Sequence, residues 1–563
     1  MKMGRAIVAL ASLWASAAAT AVEVHADMVL VNGEILTMDE ARPRAAELAI
    51  KGRRIVAVGE TARDWVGPGT QVLDLAGRTV VPGLIDSHIH AIRGGQTYRF
   101  ETYWHEVATL AEALDRLGRD ARRRPRGGWA AVVGSWHPAQ FAEGRAPTVA
   151  ELSRAAPDHP VYVQYLYDYA LVNARGIEAL RLDGEAPLLA PGITVERDAQ
   201  GRATGRLLGG VGPFNALFAR LVGGNDAKES LQAFLKALSA RGVTGLIDPG
   251  AGPPEAYEPL FALRDEGRLD VRVGYRVSAL PAADAAAWFR QAMAFHPPRH
   301  DDGRVAQLGV GENLVSEMND GVRMGPGFAP DAAARRQLTD VARLAAQRRL
   351  PLEVHAYTDD AANAILDAFE PVAREYDLRP LRWAIAHLNT ATPRTLRRVR
   401  DLGLAYTVQM GPYFEAPAIL RANDEAVARA TPPARLALDM GIVVAGGTDA
   451  TRIGLPGVWQ AIAYQVHGRS LGDVVRRQAE LNLSREEALR LYTVNAAWMA
   501  FAEHERGRIQ PGMLADLAVL DQPYLSMPAE RIASLRSVLT VMDGRIVHGQ
   551  VESFDPPRDG PSP

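Results

Sequence analysis

Between about residue 81 and residue 505 the chain repeats one pattern, a short β-rich apolar run followed by a longer stretch with apolar residues at helical spacing. Eight such runs are legible: "VVPGLIDSHIH" (80–90), "GVTGLIDPG" (242–250), "VRVGYRVS" (271–278), "VAQLGVGE" (305–312), "PLEVHAY" (351–357), "RWAIAHL" (382–388), "LAYTVQM" (404–410) and "IVVAGGTD" (442–449). Strands that alternate with helices pair in parallel, because each crossover returns the chain to the same edge. The expected fold class is therefore α/β, a (β/α)8 barrel. Such a barrel needs ~250 residues, and most of the surplus falls at about 91–242. That region is read as an insertion over the barrel mouth, with strands of its own at "WAAVVGSW" and "PVYVQYLYDYALV".

Flanking the repeat, "DMVLVNGEILTMDE" and "AAELAIKGRRIVAVGE" at one end and "ADLAVLD" and "SVLTVMDGRIVHGQ" at the other read as hairpins punctuated by Asn-Gly, Lys-Gly-Arg and Asp-Gly turns. Residues 27–80 and 506–550 are expected to form one composite β-sandwich domain, 81–505 the barrel, and 551–563 a disordered tail. The N-terminus, "MKMGRAIVALASLWASAAATAVEVHA", sets Lys2 and Arg5 before an apolar stretch of about 14 residues and then small residues, the pattern of a secretory signal. Cleavage is expected after Ala26, with Ala21 as second choice, which places the mature protein in the periplasm or outside the cell. No later segment offers ~18 uninterrupted apolar residues, so no membrane span is expected after cleavage. With no cysteine, disulfides and thiolate ligands are excluded. A net charge of −3 gives no basic field for nucleic acid. The basic run "RTLRRVR" (394–400) reads as the solvated face of a helix.

Chemistry-bearing side chains gather where the runs end: His88, His90, His355, His387 and Asp449. Carboxyl ends of barrel strands converge on one mouth. His88 and His90 stand two residues apart and so share a strand face. Four imidazoles and a carboxylate suit zinc or a similar divalent ion, one or two per site.

The motifs "PGLIDSHIH", "GVTGLIDPG", "VHAYTDDAANAIL", "AHLNTATP", "AGGTDA", "EEALRLYTVNAAWM" and "GRIQPGMLADLAVLD" resemble the amidohydrolase superfamily, and within it the amidohydrolase 3 (YtcJ-like) branch of metal-dependent hydrolases, over nearly the whole mature chain. The resemblance implies His88, His90, His355, His387 and Asp449 as metal ligands. It also implies hydrolysis of a linear or cyclic amide, a C–N bond other than a peptide bond, through a metal-activated hydroxide with Asp449 as general base. Two departures stand out. Relatives often carry a metal-bridging lysine on the fourth strand, and "LGVGENLVSEMNDG" has none; Glu312 is the first candidate for a replacement carboxylate and Glu317 the second. Relatives often have Asp-Gly-His before an Asn where this chain has "YDYALVN", which puts Tyr169 and Asn173 at the expected substrate-binding positions.

Competing readings are a lactonase or phosphoesterase on the same site, and a secreted regulatory protein without turnover. "GRSLG" (468–472) matches the serine-hydrolase pattern around Ser470, but it follows "VWQAIAYQVH", a helical run where that elbow needs a strand. His105, His137, Trp104, Trp136 and Tyr167 fall in the insertion, where packing is the simpler role; His467, His504 and His548 stand outside the strand-end set. The expected partner is a small molecule, and self-association is left open.

Overall fold

The computed structural model describes residues 25–223, 226–250, 254–278 and 303–550, with 287 and 290. Nearly all of the signal segment and the 551–563 tail lie outside the described residues. Among the described residues no helix is long and apolar enough to cross a membrane.

All eight expected strands are present. Leu84–Asp86, Val243–Asp248, Arg272–Val277 and Val305–Val310 pair in parallel in that order, and Glu353–Ala356, Ala384–His387, Ala405–Val408 and Val444–Gly446 do the same. The two sheets meet at both ends. Val310 bridges Leu352 in parallel on one seam, and Ser87 N–H donates to the Gly446 carbonyl at 2.9 Å on the other. Parallel strands covered on both faces are apolar throughout, and here every residue of Val243–Asp248 and of the last four strands is buried.

The crossovers begin where the sequence supplies a cap. Asp331 accepts from Ala334 N–H ahead of the helix Ala332–Gln347, which buries Leu338, Val341, Ala342 and Ala345. Thr358 accepts from Ala361 N–H and starts Asp359–Glu375 directly after the strand that carries His355. The basic run lies in the helix Pro393–Asp401, where Arg398 pairs with Asp367 and Glu370.

Segments near both ends of the described chain build two further sheets. Thr79–Pro82 pairs with Leu517–Leu520, Val80 opposite Val519 and Pro82 opposite Leu517. That six-stranded sheet and the four-stranded sheet around Met28–Val31 share a core containing Leu30, Ile50, Leu73, Ile35, Val519 and Val541. Strand pairing carries the terminal unit to Pro82, two residues past the expected boundary.

Between the first two parallel strands lies a five-stranded sheet, in the order Thr194–Arg197, Ala203–Leu208, Tyr169–Val172, Val161–Tyr165, Ala130–Val133. The segment "PVYVQYLYDYALV" is two antiparallel strands turned at 166–168, and Thr194–Arg197 and Ala203–Leu208 add a hairpin that hydrophobic patterning did not reveal. Its cores hold Trp104 against Trp136 and Phe141, with ring centroids 5.3 and 6.0 Å from Trp104.

Candidate functional site

The first parallel strand stops at Asp86, so His88 and His90 sit in the segment that follows it rather than on the strand itself. They still turn toward one place. Asp86 fixes the segment by accepting from Thr448 N–H and Oγ and from His88 N–H, and Asp449 N–H donates to the His88 carbonyl. The carboxylate of Glu312, two residues past the fourth strand, stands among all four imidazoles. Its Oε2 is 3.3 Å from His355 Nδ1, 3.5 Å from His387 Nε2 and 3.6 Å from His88 Nε2. Its Oε1 is 3.3 Å from His90 Nε2. Asp449 Oδ1 lies 3.3 Å from His90 Nε2 and 3.8 Å from His88 Nε2.

Ligand atoms within 4.8 Å of one another form two triads that share Glu312, namely His88–His90–Glu312 and Glu312–His355–His387. His88 Nε2 and both ring nitrogens of His387 are buried without a hydrogen-bond partner. Buried polar atoms are nearly always paired, and imidazole nitrogens left free around a carboxylate are the donor set a divalent ion takes. The residues present therefore fit such an ion.

A second layer holds the imidazoles. His88 Nδ1 donates to Glu353 Oε1 at 2.5 Å, Thr407 Oγ donates to the same oxygen at 3.1 Å, and Arg276 pairs with Glu353 Oε2 at 2.9 Å. This leaves His88 Nε2 facing Glu312, the carboxylate–histidine arrangement that orients a ligand and raises its basicity. His355 Nε2 donates to the Gly321 carbonyl at 2.7 Å, which turns Nδ1 toward Glu312.

Charge and burial compete throughout. Burial pushes the His88 imidazolium down, but Glu353 and Glu312 outweigh it and hold His88 up at about 9. His355 is raised well above the usual range against burial by Asp320 and Glu312. His387 falls to about 4 through burial and the charge of His355. Glu312 is held far below the carboxylate range, the imidazoles overcoming burial; Asp449 is lowered in the same way by His90, His387 and His88. Both carboxylates are thus anionic.

A cavity of about 80 Å3 opens over the cluster, and its walls add Arg93, Tyr167, Tyr357 and Arg452. Glu317 is exposed on the turn Ser316–Met318, outside the cluster. Neither substrate-binding expectation reaches the cavity. Asn173 is an N-cap: its Oδ1 accepts from Val161 and Gly176 N–H and its amide donates to Ala156 and His159, so no polar atom is left for a ligand. Tyr169 stacks under the Arg206 guanidinium at 4.2 Å. Tyr167, two residues earlier, is the one that lines the cavity, with its buried hydroxyl unpartnered. His137 caps a 3-10 turn through Nδ1. Ser470 follows the helix Val458–His467, and its hydroxyl accepts from Val475 N–H.

Sequence reasoning overlooked Glu353, Asp320, Arg276 and Arg93. Glu353 was within reach, since it precedes His355 by two residues on one strand and must share its face. Asp320 and Arg276 carry no local signal; only the fold brings them to the site.

Comparison with known proteins places these features in context. Residues 71–548 match the amidohydrolase family. The chain is 26% identical to the N-substituted formamide deformylase of Arthrobacter pascens, across 92% of this chain and 97% of that protein. Its fold is similar to that of an uncharacterised metal-dependent hydrolase from Pyrococcus horikoshii OT3, with a TM-score of 0.64, 20% identity, and coverage of 89% of this chain and 99% of that one. A further likeness is to atrazine chlorohydrolase from Arthrobacter aurescens TC1 complexed with zinc, with a TM-score of 0.50, 16% identity, and coverage of 93% and 96%. A match across so much of the length, with the strand-end histidines gathered on one carboxylate, establishes that the chain belongs to the amidohydrolase family.

Proposed function

We propose that this protein is an exported, metal-dependent amidohydrolase that cleaves the C–N bond of a small amide. The observation that carries the reading is Glu312, a half-buried carboxylate within 3.3–3.6 Å of four imidazole nitrogens. In this reading the two parallel sheets are halves of one closed (β/α)8 barrel, the five-stranded sheet is an insertion over its mouth, and the terminal sheets form a β-sandwich. His88, His90, His355 and His387 would hold one or two divalent ions, zinc by preference for this donor set, with Glu312 in the place of a bridging lysine. Such an ion polarises a carbonyl and makes hydroxide available near neutral pH.

The chain's own residues supply the rest. Asp449 is anionic, faces the cavity and is anchored through its N–H to the His88 carbonyl, so it can accept a proton from water and return it to the departing nitrogen. Glu353 and Arg276 keep His88 oriented. Tyr167 and Tyr357 line a space small enough to favour a compact acyl group, in keeping with the formamide substrate named for the Arthrobacter pascens relative.

Metal analysis with turnover of a formamide and acetamide panel tests the reading. Glu312→Gln is expected to lose metal and activity together; Asp449→Asn is expected to keep its metal and lose activity by about 10²-fold or more. Full turnover by metal-stripped wild type, or by metal-loaded Asp449→Asn, would overturn it.

A further inference from the structure

Two arginines reach the cavity, and they differ in one respect. Arg452 is already held in an ion pair: Nη1 pairs with both carboxylate oxygens of Glu101 at 2.9 and 3.0 Å and also reaches Thr451 Oγ, and Nη2 reaches Thr97 Oγ, so that only its Nε is buried without a partner. Arg93 forms no hydrogen bond or ion pair with any described residue, and its Nε is buried without a partner. The carboxylate within its electrostatic reach, Asp248, accepts from Ile92 and Gly250 N–H and feels the charge of Arg93, but makes no ion pair with it. Arg93 is half-buried and sits three residues after His90, on the short helix Ala91–Gly95 that the His88–His90 segment leads into. A guanidinium nitrogen buried without an acceptor is costly, and a planar fork of donors is matched best by a carboxylate or another flat anion. In a cavity of about 80 Å3 the carboxylate, with three non-hydrogen atoms, is the compact choice.

We infer that Arg93 is a substrate-binding residue that takes a carboxylate, so the substrates of this site are small amides carrying a free carboxyl group. The inference rests on the reading of the cavity as the place where the amide is held. It adds what that reading lacks, a charge on the substrate. With Arg452 already neutralised by Glu101, discrimination between acidic and neutral amides falls to Arg93 alone among the two.

The test compares N-acetylglycine with its neutral counterpart N-acetylglycinamide. Calorimetric titration into zinc-loaded Asp449→Asn full-length protein reads binding without turnover, and the same titrations are made with Arg93→Met or Arg93→Lys added. The carboxylate ligand is expected to bind about tenfold to a hundredfold more tightly than the neutral one. Arg93→Met should bring that ratio close to one, and Arg93→Lys should restore part of it. The assignment is overturned if the parent protein binds neither ligand, if it binds both equally, or if Arg93→Met keeps the preference. Turnover of the same pair by zinc-loaded wild type separates the two claims: a carboxylate preference in binding without any hydrolysis sustains the Arg93 site and counts against amide cleavage.

Discussion

Glu353 shows how much a residue can matter without facing the reaction. It is buried, touches no wall of the cavity, and yet joins His88, Thr407 and Arg276. Outer partners of this kind commonly set metal affinity by ten- to a hundredfold. Glu353→Gln keeps the shape and removes the charge, so metal titration should show a loss of about that size with the fold retained by circular dichroism. Glu415 is the opposite case. Both of its oxygens are buried without a partner, Oε2 beside Gly411, and burial, reinforced by Asp449 and opposed by His355, raises it to about 8. An acid whose folded value lies above its ordinary one stabilises the fold only while protonated, so stability is lost as pH rises from about 4.5 to about 8. Glu415→Gln removes that dependence. Its melting temperature should gain on wild type between pH 5 and pH 9, by the equivalent of a few kcal/mol; parallel curves would show that Glu415 is ionised and paired in solution.

At the scale of elements, what the sequence discloses follows from period and position. His88, His90, His355, His387 and Asp449 were legible because parallel strands end at one face and these residues stand at their ends. Glu312 was legible only as the nearest acid on a strand lacking the expected lysine. Asp320 was not legible, because a loop acid that accepts from Tyr357 and Thr358 N–H looks like any turn residue until the fold is seen. The hairpin Thr194–Leu208 escaped because its half-exposed strands carry little apolar alternation. The eighth strand carries a constraint of its own. A Cβ on Gly447 would lie 2.7–2.9 Å from His88 Cβ, N and O, so this close approach is what lets the first and last strands seat His88 together. Gly447→Ala should cost about 1–3 kcal/mol and, because the clash falls on His88, weaken metal binding as well. Thermal melts and metal titration on the same sample would reveal it; destabilisation with unchanged metal affinity would mean that the strain is relieved away from His88.

For the whole molecule, the four imidazoles, Glu312 and Asp449 come from residues spread between 88 and 449, so the set exists only once the strands have assembled. Anything bound by the folded state alone stabilises it by mass action, by about 4 kcal/mol at a thousandfold excess over the dissociation constant. Chelator treatment should therefore lower the melting temperature, and zinc should restore it. Reloading must also displace protons from His88, raised to about 9, and from His355, so apparent affinity should weaken as pH falls and uptake near pH 7 should acidify an unbuffered solution. Uptake without proton release would show that these imidazoles are already neutral.

The pairing of Thr79–Pro82 with Leu517–Leu520 also sets an order of events during synthesis. The strand Thr79–Pro82, just ahead of the first parallel strand, is made early and waits for a neighbour made more than four hundred residues later. Until the ribosome has delivered that last segment, the sheet next to the site has an open edge and the nascent chain cannot close. A chain ending before residue 517 should thus remain protease-sensitive however much of the parallel core it contains. Closure of the terminal sheet is thus the last step of folding, whatever the parallel core has already assembled.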